Sequence, residues 1–226
     1  MYISVLGAQS ADALYADRAH LESARRAAAM WADDFARNPR AYEPAWKLSR
    51  AYYWLGTHAP EGQRRALLEK GIEAGRATIA AAPNRPEGHF WTAANMGALA
   101  ESFGLRLGIK YRRPIKEELD AVLRIDPSFE HGSADRALGR WYFKVPRVFG
   151  GSRPQAEQHL KASLRDDPDG TASHFFLAEL YLDDGRTREA RAELQKVIDA
   201  RGYPEWQPED NEFRERARRL LGTLSP

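Results

Sequence analysis

The sequence predicts an all-α protein in which pairs of helices repeat and stack into a right-handed superhelix. Four prolines, Pro39, Pro83, Pro127 and Pro168, lie 44, 44 and 41 residues apart, and a period of this length is typical of helical repeats. Four positions before each proline stands an apolar residue: Phe35, Ile79, Leu123 and Leu164. No stretch shows the alternating apolar and polar pattern that would predict a paired strand.

Each proline is expected to end the second helix of a pair, because proline lacks an N–H and disfavours a helical conformation in the residue before it. Twelve residues before three of the prolines lie the small residues Ala27, Gly71 and Ala156, and Gly75 follows one turn after Gly71. Small residues on the packed face of a helix allow a neighbouring helix to approach closely. The spacing therefore predicts that a second helix packs closely against this face.

In order along the chain, helices are predicted at 10–18 and 20–37, then as pairs at 42–56/61–82, 86–103/112–125, 131–144/153–166 and 170–184/187–200. We expect one helical-repeat domain over 1–226, with a partial unit at about 10–39 and full units at 40–83, 84–127, 128–168 and 169–202. The first three full units carry insertions between their helices, at 56–62, 103–112 and 143–152. Ser152 and Gln155 form a capping box for the helix that follows. A C-terminal capping helix at about 208–223 is predicted from one apolar face: Phe213, Ala217, Leu220, Leu221 and Leu224.

The composition excludes several classes of function. The 34 Lys and Arg residues and 32 Asp and Glu residues are mixed along the chain with no basic block, which argues against nucleic acid as a partner. There is no cysteine, so disulfides and cysteine-based chemistry are excluded. No apolar stretch is long enough to span a membrane. Residues 2–8 are apolar and are followed by small residues. They are either the remnant of an export signal, which would make the protein periplasmic, or a frayed first turn of a cytoplasmic protein.

No motif of catalysis, phosphate binding or metal binding is present, so we predict a non-enzymatic protein without a cofactor or metal. His89 and His174 occupy equivalent positions, six residues after Pro83 and Pro168, which favours a packing role for both. The segment from Phe149 to Ser152 could bind an anion through backbone N–H groups, but a sharp turn followed by a helix cap is the preferred interpretation.

Aromatic residues recur in the first helix of each pair and predict a concave binding groove. When Leu48, Thr92, Leu138 and Leu177 are aligned, helical phase directs the residues around them toward the concave side. The candidate groove residues are Trp46, Arg50, Tyr53, Trp54, Phe90, Asn95, Arg136, Arg140, Phe143 and Phe175. The alternative is that the aromatic residues fill gaps created by the insertions.

Four phrases, AWKLSRAYYWLG (45–56), GHFWTAANMG (88–97), LGRWYFKVPRVFGG (138–151) and HFFLAELYLDDGRTREA (174–190), resemble a bacterial tetratricopeptide-like family. That family includes the T component of TRAP-type transporters, and the phrases are also similar to regulators of microtubule dynamics. The resemblance implies a non-enzymatic scaffold. For the transporter family it further implies periplasmic lipoproteins that oligomerise, contact a substrate-binding transport protein and pass small hydrophobic ligands. The absence of a cysteine for lipid attachment departs from that pattern.

Two functions follow as expectations. The first is a scaffold or adaptor that binds a protein or peptide partner in its concave groove. The second is a periplasmic small-ligand-binding or accessory component of a TRAP-type transporter, with a homo-oligomer as a further possibility. An enzyme is the least favoured interpretation.

Overall fold

The computed structural model describes residues 9–224 and is all-α, which confirms the predicted fold class. Eleven α-helices follow one another within this range: α1 Ala11–Ala16, α2 Leu21–Arg37, α3 Tyr42–His58, α4 Glu61–Ala81, α5 Pro86–Ser102, α6 Leu105–Ile125, α7 Phe129–Lys144, α8 Arg153–Asp166, α9 Thr171–Asp183, α10 Thr187–Asp199 and α11 Gln207–Thr223. None of the described residues forms a strand. The apolar segment at 2–8, predicted as a possible export-signal remnant, lies outside the described residues. The small residues from Ser10 onward lie within them.

The close helix approach that the small residues predict is confirmed between α4 and its two neighbours, α3 and α5. A Cβ atom on Gly71 would lie 2.1 Å from Oδ1 of Asn95, and one on Gly75 would lie 2.2 Å from Oγ1 of Thr92. Ser49 donates a hydrogen bond to the carbonyl oxygen of Gly71 over 2.8 Å. The two glycines therefore let α4 approach both α3 and α5 at backbone distance, which no larger residue would permit.

The insertion at 103–112 does not form a loop, which corrects the predicted start of α6 at residue 112. The helix begins at Leu105, after Gly104 turns the chain with φ of 85°, so α6 gains almost two turns. Pro114 lies inside this helix. Because the helix begins before it, Pro114 removes an N–H that would otherwise bond to the carbonyl oxygen of Lys110, and α6 carries this loss in its interior. The insertion at 143–152 forms a 3₁₀ turn at Arg147–Phe149, and Ser152 caps α8 by accepting a hydrogen bond from the N–H of Gln155.

The two equivalent histidines make equivalent contacts, as expected for packing residues. His89 Nε2 donates to the carbonyl oxygen of Pro83 over 2.9 Å, and its Nδ1 lies 2.5 Å from Oε2 of Glu118. His174 repeats this arrangement with Pro168 and Glu193 at the same two distances. Each ring therefore joins the proline turn that ends one pair to the second helix of the next.

The first helices of successive pairs lie on the inner side of the superhelix. Helix α3 contacts α5, α5 contacts α7 and α7 contacts α9, whereas the second helices α4, α6, α8 and α10 make few mutual contacts or none. A curved stack brings its elements closest together on the concave side. The first helices therefore line that side, and α11 packs against both helices of the last pair.

Candidate binding site on the concave face

A cavity of about 210 Å³ opens on the concave face near the N-terminal end of the superhelix. Its wall combines residues from α1, α3, the start of α7 and the segment before α11: Tyr15, Arg18, Arg50, Glu130, His131, Glu205 and Trp206. The cavity exists only because the superhelix brings the two ends of the chain together, and Arg18 hydrogen-bonds Glu209 across 191 residues of sequence.

Arg50 is a cation of this cavity without an ion pair among the described residues. Its guanidinium group lies between the rings of Tyr15 and Trp46, at 4.3 and 4.8 Å from their centroids. Its Nε atom is buried and has no hydrogen-bond partner. Stacking on two rings fixes the plane of the guanidinium group, so the fork of donors is held in place for an acceptor that the protein itself does not supply.

Glu130 places a carboxyl group in the same cavity. Its Oε2 atom is buried and has no hydrogen-bond partner, and burial raises the pKa of Glu130 from 4.5 to about 7, against the attraction of Arg50 and Arg136. Burial also lowers the pKa of Arg136, which Glu130 opposes. The cavity therefore contains two Arg and two Glu side chains. Arg18 is paired with Glu209 and Glu130 is close to half protonated near neutral pH, so Arg50 is the cation left for an anionic ligand.

The backbone at Glu130 is strained. Glu130, His131 and Gly132 have φ angles of 43°, 58° and 70°, and only glycine adopts this left-handed region without a penalty. The His131 ring stacks on Tyr203 with the centroids 4.3 Å apart. Such strain persists where the surrounding structure enforces it, and it commonly accompanies functional sites. Here it turns the Glu130 side chain toward the cavity.

Helix α11 closes the concave face by bridging to the N-terminal helices. Arg18 donates from Nε to Glu209 over 2.9 Å and from Nη2 to the carbonyl oxygen of Glu205 over 2.6 Å. His58 Nε2 lies 2.7 Å from Oε1 of Glu212. Burial disfavours the His58 imidazolium, but the hydrogen bond and charge of Glu212, the carbonyl oxygen of Trp54 and the charge of Glu209 together outweigh it and raise the pKa of His58.

Farther along the concave face, Arg140 links three first helices. It donates to Glu101 over 2.7 Å and to Glu179 over 2.9 Å, and its guanidinium group lies 4.4 Å from the ring centroid of Phe176. Phe176 in turn packs against Phe213 of α11. Arg140 is therefore already paired, in contrast to Arg50.

The structure brings part of the predicted groove set together. Trp46, Arg50 and Tyr53 of α3 and Arg136 and Arg140 of α7 lie on the concave side; their role in binding stays a prediction. Phe143 is half-buried against the core. Phe90 and Phe175 are 7% and 3% exposed, so they form the floor beneath this face.

Two predicted groove residues lie elsewhere, which corrects their placement. Trp54 is 3% exposed and donates from Nε1 to the carbonyl oxygen of Arg18, because it faces the N-terminal helices. Asn95 is fully buried between α3, α4 and α5, where its Nδ2 donates to the carbonyl oxygens of Ser49 and Trp91. Both are packing residues.

Sequence reasoning missed most of the cavity. Tyr15, Arg18, Glu205 and Trp206 lie outside the full repeat units, and Glu130 lies in a left-handed turn that interrupts helical phase. The only signal that pointed to this turn was Gly132 near the start of a predicted helix.

The fold and the concave face define the chain as a tetratricopeptide-like helical repeat scaffold. It belongs to the family described as Regulator of microtubule dynamics protein 1-3, whose sequence profile matches residues 8–148. A tetratricopeptide repeat profile matches residues 151–208. No curated protein sequence matches the chain.

Similar solved structures support the fold. A thermophilic TPR protein of Thermus thermophilus, TTC0263, is 24% identical with a TM-score of 0.69, and the match covers 92% of this chain and 95% of that one. MamA is 14% identical with a TM-score of 0.53, covering 95% and 99%. None of these matches is to a T component of a TRAP transporter, so that part of the resemblance is not supported.

Within residues 9–224, no group of three His, Asp or Glu side chains converges as metal ligands. None of the helices in that range is long and apolar enough to cross a bilayer. Repeat folds of this class typically act by binding other proteins rather than by catalysis.

Proposed function

We propose that the protein is a scaffold that binds a segment of a protein partner on its concave face, and that the cavity at Arg50 receives an acidic side chain of that segment. The unpaired, ring-stacked guanidinium group of Arg50 carries this proposal. A buried donor without an acceptor is unfavourable, and a carboxylate is the acceptor whose shape matches a guanidinium fork.

Helix α11 indicates what kind of segment this surface accepts. It lies against α9 with Phe213 on the rings of Phe175 and Phe176, at 5.5 and 5.6 Å between centroids. Arg216 stacks 4.3 Å from the Phe175 centroid. An amphipathic helix that presents an aromatic residue and charged side chains is thus already bound within the molecule, which is the helix-in-groove mode of recognition.

The cavity favours a polar group over a small hydrophobic ligand, because four of its seven lining side chains are Arg or Glu. A hydrocarbon ligand would leave the buried Nε donor of Arg50 unpaired, whereas a carboxylate would accept a hydrogen bond from it. We therefore place the small-ligand transport function second, and no contact in the described residues favours it.

Selection from a random peptide display library on the immobilised protein tests the proposal. Enriched peptides are expected to contain a carboxylate, and their affinity should fall about tenfold or more in Arg50→Gln, as for the loss of a charge-assisted hydrogen bond of about 1.5–3 kcal/mol. Arg26→Gln is the matched control, since Arg26 is exposed on α2. Peptides that bind Arg50→Gln as tightly as the unchanged protein would refute the assignment of the cavity.

A further inference from the structure

Four large apolar side chains are exposed where two of the insertions meet. Leu105 is 69% exposed, Ile109 38%, Val148 85% and Phe149 40%, and among the described residues the only other large apolar side chain so exposed is Met30. Leu105 and Ile109 are one turn apart on α6. One turn further, the Arg112 guanidinium group lies 5.3 Å from the Phe149 ring centroid. We call the surface of residues 103–113 and 143–153 the insertion patch.

The insertion patch is also strongly basic. It contains seven of the 34 Lys and Arg residues of the chain and none of the 32 Asp and Glu residues. Arg113 pairs with Glu117, and Arg153 pairs with Asp184. Within residues 9–224, no carboxylate pairs with the other five cations: Arg106, Lys110, Arg112, Lys144 and Arg147. Four of the seven cations lie in 103–113 and three in 143–153, so the contact between the two insertions concentrates this charge on one surface.

The apolar tip of the patch is held in place by backbone contacts. Gly151 donates to the carbonyl oxygen of Pro146 over 3.2 Å, and Ser152 donates to that of Tyr142 over 2.9 Å. A Cβ atom on Gly151 would lie 1.7 Å from the carbonyl oxygen of Val145, so the turn requires glycine there. Trp141 Nε1 donates to the carbonyl oxygen of Arg112 over 2.8 Å and joins the two insertions. Val148 and Phe149 are therefore presented by an ordered turn.

We propose that the insertion patch docks on the surface of a bilayer that contains anionic lipids. Leu105, Val148 and Phe149 enter the boundary between headgroups and acyl chains, and the unpaired cations contact the lipid phosphates and carboxylates. Exposed apolar side chains within a basic rim are the combination that binds membrane surfaces, since burial of apolar area and electrostatic attraction add.

A bilayer fits this surface better than other anionic partners. Nucleic acid is contacted through cations and stacked aromatic rings, whereas the most exposed side chains here are the aliphatic Leu105 and Val148. A single folded protein would have to supply both an apolar recess and carboxylates at matching positions. The proposal does not depend on the concave site, because Glu130 lies near the start of α7 and Lys144 at its end, and the regular part of α7 between them is roughly 16 Å long at 1.5 Å per residue.

Flotation of the protein with lipid vesicles tests the proposal. Vesicles of phosphatidylcholine with about a third phosphatidylserine should carry the protein, those of phosphatidylcholine alone should not, and high salt should weaken binding about tenfold. The double variant Leu105→Ser/Val148→Ser should bind at least about tenfold more weakly, because the apolar insertion is lost. Met30→Ser is the matched control and should bind like the unchanged protein.

Heparin, a polyanion without acyl chains, separates the membrane from other anionic partners. The proposal would be overturned by a purely electrostatic site. Such a site would lose vesicle and heparin binding equally in Lys110→Gln/Arg147→Gln, and would bind both as before in Leu105→Ser/Val148→Ser. Absence of flotation with the anionic vesicles would overturn it as well. Circular dichroism of each variant confirms that the helices remain folded, since the substituted side chains are exposed.

Discussion

Glu130→Gln is expected to stabilise the protein progressively as the pH rises. In the folded protein, burial raises the pKa of Glu130 from 4.5 to about 7, so the folded state binds more protons than the unfolded state across that interval. Stability contributed by the neutral carboxyl is therefore present below pH 4.5 and is lost as the pH rises through about 7. Glutamine is neutral at every pH and does not suffer this loss.

The magnitude follows from the two values. Each pH unit between them corresponds to about 1.36 kcal/mol, so the variant should gain at most about 3 kcal/mol over the unchanged protein near pH 8, and little near pH 4.5. The real gain is smaller wherever water enters the cavity and screens the carboxylate. Other titrating groups are common to both proteins, so their contributions cancel in the difference.

Urea unfolding followed by circular dichroism at several pH values from about 5 to about 8 measures the difference directly. Glu69→Gln is the control, since Glu69 is exposed on α4 and paired with Arg65; its difference from the unchanged protein should not change by more than a few tenths of a kcal/mol. If the free energy of unfolding has the same pH dependence in Glu130→Gln and in the unchanged protein, the Glu130 carboxyl is solvated. Its raised pKa then no longer supports the charge assigned to the cavity.

Two further substitutions test the packing and the closure of the superhelix. Gly71→Ala should lower the free energy of unfolding by about 1–3 kcal/mol, because the added Cβ overlaps Asn95. Gly62→Ala in the same helix is the control: a Cβ there meets no atom within 4 Å, so this variant should be as stable as the unchanged protein or slightly more stable. Equal effects of the two substitutions in thermal unfolding would contradict the close approach at Gly71. Arg18→Met should lower the free energy of unfolding by about 1–3 kcal/mol, because it leaves the half-buried Glu209 and the carbonyl oxygen of Glu205 without their donor. It should also speed hydrogen exchange in α11, and unchanged exchange there would show that α11 is held in other ways.

Helical phase predicted the part of the concave site that lies on regular first helices. Trp46, Arg50 and Tyr53 are in one helix with the aligned Leu48, so the 3.6-residue period alone sets the direction of their side chains. The same reasoning failed for Trp54, because composition does not distinguish an aromatic residue that packs on the N-terminal helices from one that lines a groove. It failed for Asn95 because a polar residue is rarely buried, and only the space above Gly71 admits it.

The spacing of prolines, glycines and apolar residues specifies the repeat, the all-α fold and the close approach of helices at Gly71 and Gly75. These properties depend on local spacing: an apolar residue four positions before a proline, or a glycine on a helix stripe, acts through contacts within one or two neighbouring helices. Repeat proteins consist mainly of such nearest-neighbour contacts, and for that reason the period can be recognised without a structure.

Only the tertiary structure decided which charges meet. The curvature of the superhelix brings Arg18 to Glu209 across 191 residues and assembles a cavity from Tyr15, Arg50, Glu130 and Trp206. Packing of neighbouring pairs also joins the insertions at 103–112 and 143–152 into one basic and apolar patch, which their positions in the sequence did not predict. The curvature of a superhelix results from small rotations between all successive helix pairs. It therefore cannot be predicted from the residues of any one pair.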